Sequence, residues 1–188
     1  MEIILAENHG FCYGVKRAVE MANEAAEGKG KSYTLGPIIH NPQVVGRLES
    51  KGVSPIQEVA DIDEGTMIIR SHGVGPAIYA EAEEKGLHIL DATCPHVKKA
   101  QQDAKSVIED GMTLVILGEK NHPEVKSINL WANNKGIIIE DEESAKKLQI
   151  VEKMGVVVQT TFSQFKFNSI IEILEKKSKN LKVFKTIC

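Results

Sequence analysis

The sequence predicts an α/β fold made of two repeated parallel-sheet units, the first over residues 1–93 with an N-terminal strand and the second over residues 94–188. Three observations predict it. The chain repeats itself around its cysteines: Cys12-Tyr13-Gly14-Val15-Lys16-Arg17-Ala18 matches Cys94-Pro95-His96-Val97-Lys98-Lys99-Ala100. The match continues downstream, where Leu35-Gly36-x-x-x-His40 returns as Leu117-Gly118-x-x-x-His122, with 28 residues from cysteine to histidine in both copies. A looser third match sets Ile68-Ile69-Arg70-Ser71-His72 against Val157-Val158-Gln159-Thr160-Thr161. Second, short β-branched runs alternate with helical patterns throughout, the signature of parallel sheets covered by helices. Third, no Pro- or Ser-rich linker separates the copies, so the units are expected to pack directly. Internal repeats of this kind set the architecture before any single element does.

The elements follow in order. Glu2–Ala6 is apolar and short, and reads as a strand. Cys12–Gly28 reads as a helix, with Val15, Val19 and Ala22 on one face and Gly28 as its stop. Tyr33–Gly36 reads as a strand, Pro42–Lys51 as a helix closed by Gly52, and Met67–Arg70 as a strand. Pro76–Lys85 is a helix closed by Gly86, and His88–Leu90 a strand. The second unit repeats the pattern: helix Pro95–Asp110, strand Leu114–Gly118, helix Pro123–Ala132, strand Ile137–Ile139 and helix Glu142–Leu148. Strand Val156–Gln159, helix Ser163–Lys177 and strand Leu181–Thr186 complete it. The Lys176-Lys177-Ser178-Lys179 run is read as a solvated helix end.

Composition narrows the function classes. The chain is 42% hydrophobic and 26% charged, and its net charge of −3 argues against general nucleic-acid binding, which needs a basic surface. No apolar run reaches membrane-spanning length and the N-terminus has no signal-peptide pattern, so the expected location is the cytoplasm. Three cysteines cannot all pair, and a reducing cytosol disfavours disulfides. A single cytosolic cysteine is usually a small buried hydrophobe. That reading weakens here, because Cys12 and Cys94 occupy equivalent positions of the repeat and Cys188 stands where a further unit would begin.

Parallel sheets place ligands at the carboxyl ends of their strands, and the chemically active residues obey that rule. His40, His72, His122, Thr160 and Cys188 follow predicted strands; Cys12 and Cys94 follow strands and open helices. A cysteine at a helix N-terminus has its thiolate stabilised by the dipole and by free N–H groups. Three equivalent nucleophiles make no mechanistic sense, whereas three converging thiolates make a metal site. Zinc commonly takes close C-x-x-C pairs, and none exists here. Iron–sulfur clusters are also thiolate-bound, and a cubane held by three cysteines keeps one iron open to substrate. Ligand count alone leaves both metals and the buried-cysteine reading open. The histidines suit an anion such as a phosphate; His9, His88 and His96 are read as ordinary partly buried histidines. Glu124, on the first turn after His122-Pro123, is a possible proton donor if its surroundings raise its pKa. It is equally a helix-start acid favoured by the dipole. Ser71-His72-Gly73-Val74-Gly75-Pro76 matches no nucleotide-binding loop, and its glycines are read as allowing close backbone approach to a ligand.

Taken together, Glu7-Asn8-His9-Gly10-Phe11-Cys12-Tyr13-Gly14-Val15, Gly36-Pro37-Ile38-Ile39-His40-Asn41-Pro42, Arg70-Ser71-His72-Gly73-Val74, Asp91-Ala92-Thr93-Cys94-Pro95 and His122-Pro123-Glu124-Val125 closely resemble the 4-hydroxy-3-methylbut-2-enyl diphosphate reductase (LytB/IspH) family, in order along the whole chain. The resemblance implies α/β units in a three-unit trefoil around a central 4Fe-4S cluster. It implies the last step of the non-mevalonate isoprenoid pathway: reductive dehydroxylation of an allylic diphosphate to isopentenyl and dimethylallyl diphosphate. It further implies that Cys12, Cys94 and Cys188 are the three cluster ligands, with one open iron. By the same resemblance His40, His72 and His122 surround the substrate and its diphosphate, Glu124 is the proton donor and Thr160 the active-site threonine. The electron donor implied is ferredoxin or flavodoxin.

The family's pattern continues past the third cysteine into a third unit with a Ser-x-Asn diphosphate motif, so the resemblance implies a chain truncated at Cys188, with the third unit absent and Cys188 frayed. The competing class is a non-catalytic two-unit scaffold that binds metal or anion; a zinc hydrolase is a more distant rival. Metal content separates the three: iron with sulfide, no metal, or stoichiometric zinc.

Overall fold

The structure, a computed structural model, describes residues 3–7, 9–28 and 30–188. Seven helices and eight strands form among these residues: α1 Tyr13–Glu27, β1 Ser32–Leu35, α2 Pro42–Glu49, β2 Val53–Ile56, β3 Thr66–Ile69, α3 Pro76–Glu84, β4 His88–Asp91, α4 Pro95–Glu109, β5 Thr113–Leu117, α5 Pro123–Trp131, β6 Ile137–Ile139, α6 Glu142–Lys147, β7 Val151–Val158, α7 Gln164–Glu175 and β8 Ser178–Phe184. They build two four-stranded sheets with the same strand order, β2-β1-β3-β4 and β6-β5-β7-β8. Every pairing in both is parallel.

Strand periodicity assigns the core. In the second sheet Leu114 and Ile116 face α4 and α5, where they meet Ala104, Val107 and Ile128. Val115 and Leu117 face α6 and α7, where they meet Ala145, Ile170 and Leu174. The first sheet divides the same way. Ile68 packs with Ala18, Ala22 and Leu48 of α1 and α2, while Met67 and Ile69 pack with Ala82 of α3. Alternate residues thus serve opposite faces, as a buried pleated strand requires.

Helix starts are set by local chemistry. Asn41 caps α2 through its side-chain oxygen, which accepts the Val44 N–H at 3.1 Å. Pro42, Pro76, Pro95 and Pro123 each occupy a first-turn position, where the missing N–H costs nothing. Cys12 and Cys94 are the N-cap residues of α1 and α4, as their sequence positions predict.

Four expectations are corrected. Residues 3–6 form no strand, and Ile3, Ile4 and Leu5 are largely exposed; Glu2 lies outside the described residues. An apolar run is a strand only if a sheet edge receives it, and neither four-stranded sheet pairs with this one. Conversely, β2 goes unread in the sequence because Pro55 lies inside it; it is an edge strand, the place a sheet tolerates proline. His9, His88 and His96 are exposed rather than partly buried. Lys176 ends α7 as expected, but Ser178 of the lysine run already belongs to β8, which together with β7 is longer than predicted.

Cys188 is tied rather than frayed. The β7–β8 ladder ends at Val157 and Phe184, and the buried Thr186 hydroxyl then takes over. It accepts the Val158 N–H at 3.0 Å and donates to the Val158 carbonyl. Cys188 N–H donates to the Thr160 carbonyl at 2.8 Å. Replacing Thr186 by the isosteric Val leaves two buried backbone groups unpaired, which costs about 1–3 kcal/mol. Denaturant unfolding of Thr186→Val is expected to show a loss of that size with an unchanged m-value.

Candidate active site

In a doubly wound sheet the strand order reverses between two central strands, and the loops leaving their carboxyl ends part to form a crevice. Here the reversal falls between β1 and β3, and again between β5 and β7. His40 follows β1 and His72 follows β3; His122 follows β5 and Thr160 follows β7. Cys94 and Cys188 leave the neighbouring strands β4 and β8. All eight residues singled out in the sequence line one cavity of about 570 Å³, including Cys12 and Glu124.

The three thiols are free and face this one space. Gly14, two residues into α1, lies against Cys94; a β-carbon there would stand 2.4 Å from its sulfur. The turn that presents Cys94 is braced by Asp91, whose carboxylate accepts the Thr93 N–H at 2.9 Å and the Tyr79 hydroxyl at 3.0 Å and pairs with Lys98 at 2.7 Å. Arg17, on the helix opened by Cys12, donates to the Thr93 carbonyl at 3.2 Å and so joins the two cysteine-bearing helices. Partial burial pushes the Cys188 thiol up, and nearby Cys94, Cys12 and Glu124 push it further. Three free thiols that converge on one cavity fit a cation of the iron–sulfur or zinc type, which would take them as thiolates.

The imidazoles of His40, His72 and His122 form a triangle with ring centroids 4.4, 5.4 and 5.6 Å apart. Their nearest ring nitrogens lie within 4.8 Å of one another, a spacing open to a shared anion or a metal ion. The hydrogen bonds favour the anion. His122 Nδ1 accepts the Glu124 N–H at 3.2 Å, which puts the proton of the neutral ring on Nε2 and makes it a donor. Burial pushes His72 down to about 3, with His40, His122 and Arg70 adding to it. His122 is lowered by burial first and by His40 next. His72 Nδ1 is buried without a partner. A negative group among the rings would favour their protonated forms and relieve the mutual repulsion that lowers His72 and His122.

Glu124 is 2% exposed, on the first turn of α5. Its Oε1 accepts the Thr160 N–H at 2.6 Å, and its Oε2 accepts the Thr160 hydroxyl at 2.9 Å. Burial raises its pKa, and the two bonds from Thr160 offset part of that rise. A carboxyl raised by burial at the wall of a cavity is a candidate proton donor. Thr160 orients it and, through its carbonyl, also holds the backbone of Cys188.

Sequence reasoning missed Ser71, Thr161 and Asn41, which share this lining. The repeat could have found two of them, because Ser71 aligns with Thr160 and Thr161 with His72. The apolar wall of Phe11, Val15, Ile39 and Val97 carries no signal beyond helical and loop patterning.

A carboxyl whose folded pKa is raised holds more protons in the folded chain than in the unfolded one, so its contribution to stability falls as pH rises above about 4.3 and levels off past the folded pKa. Glu124→Gln keeps both bonding partners without that loss. The stability difference, variant minus wild type, is therefore expected to grow with pH through that window. Thermal unfolding at stepped pH checks it; a flat difference means the carboxyl is not raised.

The chain was compared with known proteins. The family model described as "LytB protein" matches residues 3–188. Similar proteins include the 4-hydroxy-3-methylbut-2-enyl diphosphate reductases of Geotalea uraniireducens and Geobacter sulfurreducens, each 47% identical over 188 residues, covering 100% of this chain and 67% of the relative. A solved structure of (E)-4-hydroxy-3-methyl-but-2-enyl diphosphate reductase, described as the terminal enzyme of the non-mevalonate pathway, superposes with a TM-score of 0.86 at 43% identity, over 99% of this chain and 68% of that one. The Plasmodium falciparum reductase superposes with a TM-score of 0.91 at 31% identity, over 97% of this chain and 59% of that one. On its family match over nearly all residues, and on relatives that it matches across two thirds of their length, the chain belongs to the LytB protein family.

Proposed function

We propose that this chain carries the catalytic core of a 4-hydroxy-3-methylbut-2-enyl diphosphate reductase. The observation that carries the reading is the convergence of three thiols, three imidazoles and one buried carboxyl on a single cavity. Cys12, Cys94 and Cys188 would hold a 4Fe-4S cluster with one iron free of protein ligand. When bound, such a cluster would relay electrons one at a time from the external donor and offer a Lewis-acidic site for the substrate hydroxyl.

The chain's own residues do the rest. His40, His72 and His122 bind the diphosphate, to which His122 offers Nε2–H. The wall of Phe11, Val15, Ile39 and Val97 takes the methylbutenyl carbons and excludes water. Breaking the allylic C–O bond to release water requires a proton at the departing oxygen. Glu124 holds that proton, and Thr160 aims it. In balance, the allylic alcohol, two electrons and two protons give the alkene and one water. We take the two units to divide at residue 94, the electrons to come from a ferredoxin or flavodoxin, and the protein to work in the cytoplasm. Among the described residues no helix is long and apolar enough to cross a membrane.

Anaerobic reconstitution is expected to give a brown, oxygen-sensitive centre containing iron and sulfide. Cys12→Ser, Cys94→Ser and Cys188→Ser should each lower its iron content. Stoichiometric zinc without sulfide would sink the reductase reading. In a form that turns over, Glu124→Gln is expected to lower kcat by roughly 10²–10⁴-fold while keeping the cluster's visible absorption. His40→Asn should act mainly on KM. Near-normal kcat in Glu124→Gln would assign the proton elsewhere.

A further inference from the structure

A second cavity, of about 300 Å³, adjoins the histidine loop and shares no lining residue with the first. Arg70 and His72 are two residues apart, yet they line different cavities. The ionisable groups in this lining are Arg70 and Lys126, both cationic. Among the described residues neither cation makes an ion pair, and neither side chain makes a hydrogen bond. Arg70 Nε is moreover buried without a partner. Its guanidinium approaches Gly36, whose φ is +71° and where a β-carbon would stand 2.5 Å from Nη1. A half-buried guanidinium that makes no ion pair among the described residues calls for an anion. Leu35, Val74, Ile78 and Leu130 form the apolar remainder of the wall.

The geometry points to a second ligand site, in which Arg70 and Lys126 bind the phosphate of a short-chain alkyl phosphate whose apolar body lies against Leu35, Val74, Ile78 and Leu130. Guanidinium matches phosphate through its planar fork, and lysine adds a point charge on a flexible stem. The cavity lies between the loop after β3 and helix α5, so one ligand touches the segments that carry His72 and Glu124. The site does not depend on the reductase reading, because it uses none of that reading's residues.

Isothermal titration of the full chain with 3-methylbutyl phosphate tests it, run in a His40→Asn background so that the first cavity is weakened. One equivalent is expected to bind, and more tightly than inorganic phosphate. Arg70→Gln should weaken it at least tenfold, and Lys126→Ala, at an exposed position that folding does not need, about threefold. Absence of binding, or binding equal in the parent, Arg70→Gln and Lys126→Ala proteins, overturns the site. Pyrophosphate titration of His40→Asn against wild type reads the first cavity separately, so either reading can fail without the other.

Discussion

Every strand in this protein runs the same way as its neighbours, and the active-site arrangement depends on that constraint. A parallel strand cannot return by a hairpin, so each must be followed by a crossover on one face of the sheet. Each strand's carboxyl end then empties into a loop on the same edge. Six loops deliver His40, His72, Cys94, His122, Thr160 and Cys188 to that edge from two sheets. No long-range search is needed to bring these residues together, because strand direction does it. What remains is to set the angle between the two edges. Ser127 to the His72 carbonyl at 2.8 Å and Trp131 to the Val74 carbonyl at 2.9 Å, both from α5 to the loop after β3, do so with half-buried hydrogen bonds.

The electrostatics of the cavity share one direction. Burial lowers His72 and His122 and raises Glu124 and Cys188, and in all four the shift favours the uncharged form. Groups held toward their uncharged forms are poised for charges brought from outside. A bound anion would raise the histidines, and a bound cation would lower the thiols. The two effects need not cancel, because imidazoles and thiols come from different loops. The two bonds that Glu124 accepts from Thr160 stabilise its carboxylate and oppose the rise that burial causes, whereas a bound anion would add to that rise.

Much of this was legible in the sequence, and the reasons are local. Cys12 and Cys94 could be placed at helix starts because helical periodicity follows each directly, and Pro95 marks one of them. The 28-residue spacing from cysteine to histidine located His40 and His122 in equivalent loops. Legibility failed where a partner far along the chain decides. Ile3–Leu5 has strand composition but no edge to join, and β2 has an edge to join despite Pro55. The Gln101–Ser127–His72 chain of hydrogen bonds spans three segments, and nothing at any one of them announces it. Arg70 reads as a strand-end cation, and only folding shows that it has no partner.

The repeat also shows how a duplicated frame comes to hold a single acid. Both α2 and α5 begin with proline, at Pro42 and Pro123, and the next residue is Gln43 in one and Glu124 in the other. Gln43 is exposed, while Glu124 is buried and receives two bonds from Thr160. Ser71, the counterpart of Thr160, turns its hydroxyl to the Ile38 carbonyl at 3.1 Å. The two copies therefore share the placement of histidine and cysteine but not the proton. Gln43 lies outside the cavity lining, so Glu124 is the one carboxyl that the duplicated frame presents to the cavity. Burial raises it and the two Thr160 bonds hold that rise in check, so the balance of the two sets when the proton is released.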